Sequence, residues 1–108
     1  MSSYSAPLRE IRFTLHDLLG VEPTFARLGF EDAGRETVDA ILEEAARFCG
    51  TVLAPLNRVG DEHGVDFDRD SASVATAPGF KDAYVQFAEG GWGGLSASAE
   101  YGGMGMPH

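Results

Sequence analysis

ETVDAILEEAARFCGTVL, residues 36–53, is the stretch that decides the fold. Its apolar residues are Val38, Ile41, Leu42, Ala45, Phe48, Cys49, Val52 and Leu53, recurring at spacings of three and four. That is the period of an amphipathic helix, and strand alternation does not fit it. The outer face carries Asp39, Glu43, Glu44 and Arg47, with Glu43 and Arg47 at the i,i+4 spacing of a favourable ion pair. Gly50 costs about 1 kcal/mol relative to alanine without breaking the helix. Pro55 is the interruption: it lacks the N–H of an interior hydrogen bond and clashes with the carbonyl four residues back. Yet Leu56 and Val59 continue the stripe. The pattern predicts a kinked helix that resumes after Pro55 and ends near residues 60–64.

Toward the N-terminus, residues 21–34 are punctuated by Pro23, Gly29 and Gly34, and only residues 24–28 suggest a helical turn. Before them, Leu8, Ile11, Leu15, Leu18 and Leu19 share a helical stripe, with Pro7 suited to the first turn and Gly20 ending it. A three-turn helix is marginal alone and must dock on something. Phe13 lies off the stripe, where a second surface would cover it. Toward the C-terminus, residues 64–79 read as an acidic, irregular loop, with an extended stretch at residues 74–76. Phe80, Ala83, Tyr84, Phe87 and Ala88 place a third helix over residues 80–89, stopped by Gly90 and Gly91. No internal repeat and no strand pair stands out, so the expected fold class is all-α.

The chain has 108 residues, 44% of them hydrophobic and 23% charged, enough for one small domain and too apolar for a disordered chain. Eight Lys and Arg against 17 Asp and Glu give a net charge of −9. That acidity argues against a nucleic-acid partner, which needs a basic face, and against docking on anionic lipid. No apolar run approaches the roughly 20 residues of a membrane span, and Met1–Glu10 lacks the basic start and apolar core of a secretory signal. A lone cysteine, Cys49, forms no internal disulfide; a reducing, cytoplasmic setting is the simpler expectation. Seven of the 14 glycines fall between Gly90 and Gly105, close to the end of the sequence. A glycine-rich loop with nothing after it to pack against leads us to expect a chain truncated at His108.

No catalytic constellation emerges from spacing. Asp66, Asp68 and Asp70 invite a calcium loop, but its sixth position needs glycine and its twelfth glutamate, where Ser71 and Ala77 stand. Arg69 adds an opposing charge. His16, His63 and His108 are too scattered for a zinc site, and Asp61, Glu62 and His63 adjoin without converging. Cys49 reads as a small core residue, with no neighbouring cation to activate it. The glycine runs 90–94 and 102–105 match neither the dinucleotide fingerprint, which would need glycine at Ser96 or His108, nor the P-loop, since Lys81 is the sole lysine. Tight turns and close backbone approach account for these glycines.

The chain does resemble a known family. Tyr4-Ser-Ala-Pro7-Leu-Arg-Glu-Ile-Arg-Phe-Thr-Leu-His-Asp-Leu-Leu19 is similar to the leading extension of the larger bacterial acyl-CoA dehydrogenases. Residues 38–64, with Leu53-Ala-Pro55-Leu-Asn57, resemble the first long helix of that superfamily. Pro78-Gly-Phe-Lys-Asp-Ala-Tyr84, Gly90-Gly-Trp-Gly-Gly-Leu95 and Glu100-Tyr-Gly-Gly-Met-Gly-Met-Pro107 resemble its next helix, exit and following loop. The family often carries proline just before that glutamate, where Ala99 stands here.

The resemblance implies a fold of N-terminal helical domain, middle β-domain and C-terminal helical bundle. It also implies an FAD enzyme in which a glutamate takes the α-proton of an acyl-CoA thioester while hydride leaves the β-carbon for the flavin. An electron-transfer flavoprotein then reoxidises the flavin. The family's flavin contacts and catalytic glutamate lie mostly in the later domains. No catalytic, cofactor-binding or metal residue is therefore expected in this chain; Glu100 belongs to a different motif. Residues 1–34 are expected as an N-terminal extension and residues 35–108 as the first part of the helical domain, in a homo-oligomer. The chain alone is expected to be inactive. The rival expectation is an independent acidic helical interaction module that docks a partner through residues 8–19.

Overall fold

In a computed structural model describing residues 4–108, two helical arms lie on one long central helix. Met1–Ser3, which open the expected extension, lie outside the described residues. The central helix runs without a break through three segments: α3 (Arg35–Phe48), a π-turn (Cys49–Leu53) and α4 (Ala54–His63). Where the kink is expected, the structure has this π-turn, with Pro55 in the first turn of α4. The Ala54 N–H reaches back five residues to the Cys49 carbonyl. The Thr51 hydroxyl donates to the Arg47 carbonyl at 2.7 Å. A threonine bonded four residues back competes with the backbone ladder and bends it. Gly64, at φ 67°, ends the helix.

The N-terminal arm repeats the device. The segment α1 (Leu8–Arg12) passes into a second π-turn (Phe13–Leu18). There the Leu19 N–H donates to the Thr14 carbonyl, and the Thr14 hydroxyl donates to the Glu10 carbonyl at 2.9 Å. Gly20 turns the chain into α2 (Val21–Arg27), a fuller helix than the one turn expected at residues 24–28.

α1 runs antiparallel along α3. Arg12 meets Glu43, His16 meets Asp39, and the Tyr4 carbonyl passes close to Gly50, where a Cβ would sit 3.3 Å from it. A glycine stands inside the helix here because another backbone crosses over it. The expected Glu43–Arg47 pair does not form: Glu43 turns to Arg12, and Arg47 pairs with Glu44. Leu18 and Leu19, placed on the docking stripe by their spacing, are instead exposed, because the π-turn rotates them off the α3 face.

The C-terminal arm is α5 (Phe80–Glu89), at the expected position. Two glycines admit it. A Cβ on Gly60 would lie 2.6 Å from the Phe80 ring, and one on Gly79 2.7 Å from Leu56. Phe48 then meets Phe87 and Trp92, with ring centroids 6.4 and 6.5 Å apart.

One expectation fails between α4 and α5. The segment read as an irregular loop contains an antiparallel hairpin, β1 (Asp66–Asp68) and β2 (Ser73–Ala75), with Phe67 opposite Val74. Three-residue strands exposed on both faces leave almost no periodic signal. The cross-strand Phe67–Val74 pair and the alternation Asp-Phe-Asp were the available cues. The protein is otherwise mostly helical, as the periodicity requires.

The arms cover the central helix only partly. Among the described residues, the buried set is small: Ala33, Ala77, Ala83, Met106 and His16. The molecule is a slab of 56 × 36 × 17 Å with a radius of gyration of 17.8 Å. A compact chain of this length would have about 13 Å.

Replacing Pro55 by alanine restores an N–H without disturbing packing. Because the π-turn already accommodates Pro55, we expect Pro55→Ala to change stability by less than about 1 kcal/mol. Thermal unfolding followed by circular dichroism checks this. A large loss of helix would show that Pro55 is needed to hold the π-turn.

Candidate functional site

The one polar side chain buried among the described residues is His16, in the N-terminal π-turn. Its Nδ1 contacts Glu22 Oε1 from α2, and its Nε2 lies 2.7 Å from Asp39 Oδ1 on α3. Arg12, one turn earlier, places its Nε 3.4 Å from the same Asp39 oxygen and pairs its guanidinium with Glu43. The pattern was present in the sequence. Arg12 and His16 are four residues apart on one helix; Asp39 and Glu43 are four apart on the other, so an antiparallel pairing aligns both. Spacing within single helices does not find it.

The His16 hydrogen bond is the largest cause lowering the Asp39 carboxyl below its ordinary 3.8, with the charges of Arg12 and Arg35 adding to it. Glu22 is held below its ordinary 4.5, first by its own backbone amide and then by His16. Both carboxylates thus ionise more readily folded than unfolded. Their contribution is present above the ordinary values and lost as pH falls through the depressed ones. On acidification below about pH 5, we expect hydrogen-exchange protection in residues 8–18 to fail before that in residues 80–89. Simultaneous loss in both would contradict the assignment.

The other candidates fall apart in space. Asp68 turns its carboxylate onto its own turn, accepting from the Asp70 amide at 3.0 Å and the Ser71 hydroxyl at 2.9 Å. Those two bonds, the Ser71 one first, hold its carboxyl low. His63 pairs with Asp66 at 2.9 Å on the surface, and His108 is exposed. Cys49 is a half-buried free thiol. Glu100 sits in an exposed turn that Ser98 caps. Among the described residues, no three His, Cys, Asp or Glu side chains converge as a metal site.

The glycine-rich exit is no phosphate cradle. Its amides are bonded internally: Gly103 donates to Ser98, Met104 to Gly94, Gly105 to Ala97 and Met106 to Leu95. A nucleotide loop presents such amides outward. The described glycine turns therefore do not fit the pyrophosphate of a dinucleotide.

What the fold does present is apolar concavity. A groove of about 640 Å³ runs between α4 and α5, lined by Leu53, Leu56, Phe80, Ala83, Tyr84 and Phe87. A second, of about 560 Å³, lies between α3 and the exit, lined by Ala40, Ile41, Trp92, Leu95, Met104 and Met106. Tyr84 is 70% exposed and Leu18 68%, values unusual for residues on helical stripes. No described helix is long and apolar enough to cross a membrane. The geometry is that of a packing element with uncovered faces.

No family model matches the chain. It is 38% identical over 105 residues to a 3-methylmercaptopropionyl-CoA dehydrogenase of Ruegeria pomeroyi. It is 30% identical over 107 residues to a broad-specificity linear acyl-CoA dehydrogenase of Mycobacterium tuberculosis. It is 30% identical over 93 residues to a butyryl-CoA dehydrogenase of Syntrophomonas wolfei. These alignments take in 97%, 99% and 84% of this chain, but only 18%, 18% and 15% of the relatives. The chain spans less than a fifth of the length of the curated relatives it matches. Along nearly its whole length, the chain is therefore similar to the N-terminal part of acyl-CoA dehydrogenases.

Proposed function

We propose that this chain forms the N-terminal helical part of an FAD-dependent acyl-CoA dehydrogenase that introduces a double bond between the α- and β-carbons of an acyl-CoA thioester. The observation that carries this reading is the near-complete alignment with three dehydrogenases. The uncovered surface supports it. The chain exposes 8143 Å², where a compact protein of 11.5 kDa would expose about 5,800 Å². The surplus is of the size that obligate interfaces bury. An independent interaction module would cover more of its own apolar stripe, and that alternative is not favoured.

In this reading residues 1–34 are the extension and residues 35–108 the start of the helical domain. Their work is architectural: α4, α5 and the exit present apolar faces for the rest of the enzyme. The catalytic glutamate and the flavin contacts lie outside this chain, which is inactive alone. FAD, when bound, supplies the hydride acceptor. The substrates in the relatives' names differ in chain and heteroatom but share the acyl-CoA thioester, so that class is the substrate proposed. The remaining proposals are an electron-transfer flavoprotein as oxidant, a homo-oligomeric state and a cytoplasmic location.

The test is anaerobic titration of the polypeptide encoded by the complete reading frame with acyl-CoA thioesters of graded length, one of them carrying a thioether. A yellow protein whose flavin band bleaches with at least one of them is the expected result. A protein that binds no flavin, or one that no thioester bleaches, overturns the proposal.

A further inference from the structure

His16 holds two elements at once, and its geometry carries an inference about charge. Its side chain has no exposed surface, and both ring nitrogens face carboxylate oxygens. A neutral imidazole has one N–H and one lone pair, so it donates to only one of two carboxylates and turns its lone pair on the other. Both contacts are hydrogen bonds only when both nitrogens carry protons. We propose that His16 is an imidazolium forming a pH-sensitive clasp, which fastens the N-terminal helix and α2 to α3 and loosens when the ring gives up one proton.

The surrounding charges fit that assignment. Glu22 faces Nδ1 from α2, and Asp39 faces Nε2 from α3. Arg12, on the same arm as His16, shares the Asp39 oxygen and is held in turn by Glu43. Arg35, at the start of α3, acts on both Asp39 and Glu22 through its charge. The cations His16, Arg12 and Arg35 therefore meet the anions Glu22, Asp39 and Glu43. Removing one proton from His16 leaves the anions in excess and one carboxylate facing a bare lone pair. Asp39 still has Arg12 against the same oxygen, at 3.4 Å, whereas Glu22 has no ion-pair partner but His16 among the described residues. The α2 side of the clasp is thus the one that opens. The π-turn is suited to this role, because π-turns place a side chain out of the regular helical register and recur at functional positions.

The experiment is hydrogen exchange by mass spectrometry on the polypeptide of the complete reading frame at about pH 6 and about pH 9, corrected for intrinsic exchange. Protection of residues 8–27 is expected to fall by about tenfold or more at the higher pH, the equivalent of one charge-assisted hydrogen bond, while residues 80–89 stay protected. Two variants are measured in parallel. In His16→Gln the pH dependence disappears. Glu22→Gln guards against a misfolded first variant: its amide either accepts from a protonated Nδ1 or donates to a bare one, so folding is kept and the pH dependence is lost. Equal protection at both values in the wild type overturns the proposal. So does an unchanged pH dependence in Glu22→Gln.

Discussion

Gly103→Ala is expected to destabilise the protein by about 3 kcal/mol or more, the upper range for overpacking, although it adds one methyl group. A Cβ at position 103 would lie 2.1 Å from the Ala97 carbonyl oxygen, 2.4 Å from its carbon and 2.6 Å from the Ala97 Cβ. These are backbone atoms or the first atom beyond them, so no rotamer change relieves the overlap. The segment would have to part from residues 94–98, breaking the four hydrogen bonds donated by the backbone N–H groups of Gly103, Met104, Gly105 and Met106. Met106, among the few buried apolar side chains, would leave its place with them. Two neighbours are controls. Gly93→Ala meets only an ordinary 3.8 Å contact with Phe87 and should be near neutral. Gly102→Ala meets open space but sits at φ 85°, so it should cost about 1–2 kcal/mol from backbone strain alone. Thermal unfolding, read by Trp92 fluorescence, ranks the three variants. A Gly103→Ala protein that melts with the wild type would show that the exit does not fold back as described.

Gly103 also marks how far the sequence could be read. Its neighbourhood was legible as tight turns and close approach, but which backbone approaches it depends on pairings with no local signal. The helices were legible because their stabilising faces repeat every three to four residues over ten or more positions, as in Val38 to Leu53. Pro55 announced a bend. The π-turn found beside it carries the Thr51 hydroxyl on the Arg47 carbonyl, and threonine inside a helical stripe gives no distinctive pattern. The hairpin at Phe67 and Val74 was too short to register. The His16 clasp was written in the i,i+4 spacings of two separate helices. It becomes readable only once their antiparallel pairing is known, and that pairing is a tertiary fact. The uncovered grooves were least legible of all, since an apolar stripe looks the same whether this chain or another protein surface covers it.

Ile41 tests whether the central stripe faces its partners in the phase that the sequence implies. It is half-buried on α3 and lines the groove closed by Trp92, Leu95, Met104 and Met106. Ile41→Asp removes an aliphatic side chain from that seam and places a carboxylate against thioether and indole surface, where nothing cationic lines the groove. The polar groups that do line it include Glu36 and Glu44, so the new charge meets like charges in a chain already at −9. Lost burial and an unpaired charge together should cost about 3 kcal/mol or more. The marginal stability of a small domain leaves little room for that, and cooperative unfolding at physiological temperature is the expected outcome. Ile41→Val, which keeps the shape and loses one methylene, should cost about 1 kcal/mol. The pair separates charge from packing. If the Ile41→Asp and Ile41→Val proteins share one melting temperature, position 41 points to solvent. The stripe from Val38 to Leu53 would then be turned by about one residue from the face against which α1 and the glycine-rich exit are packed.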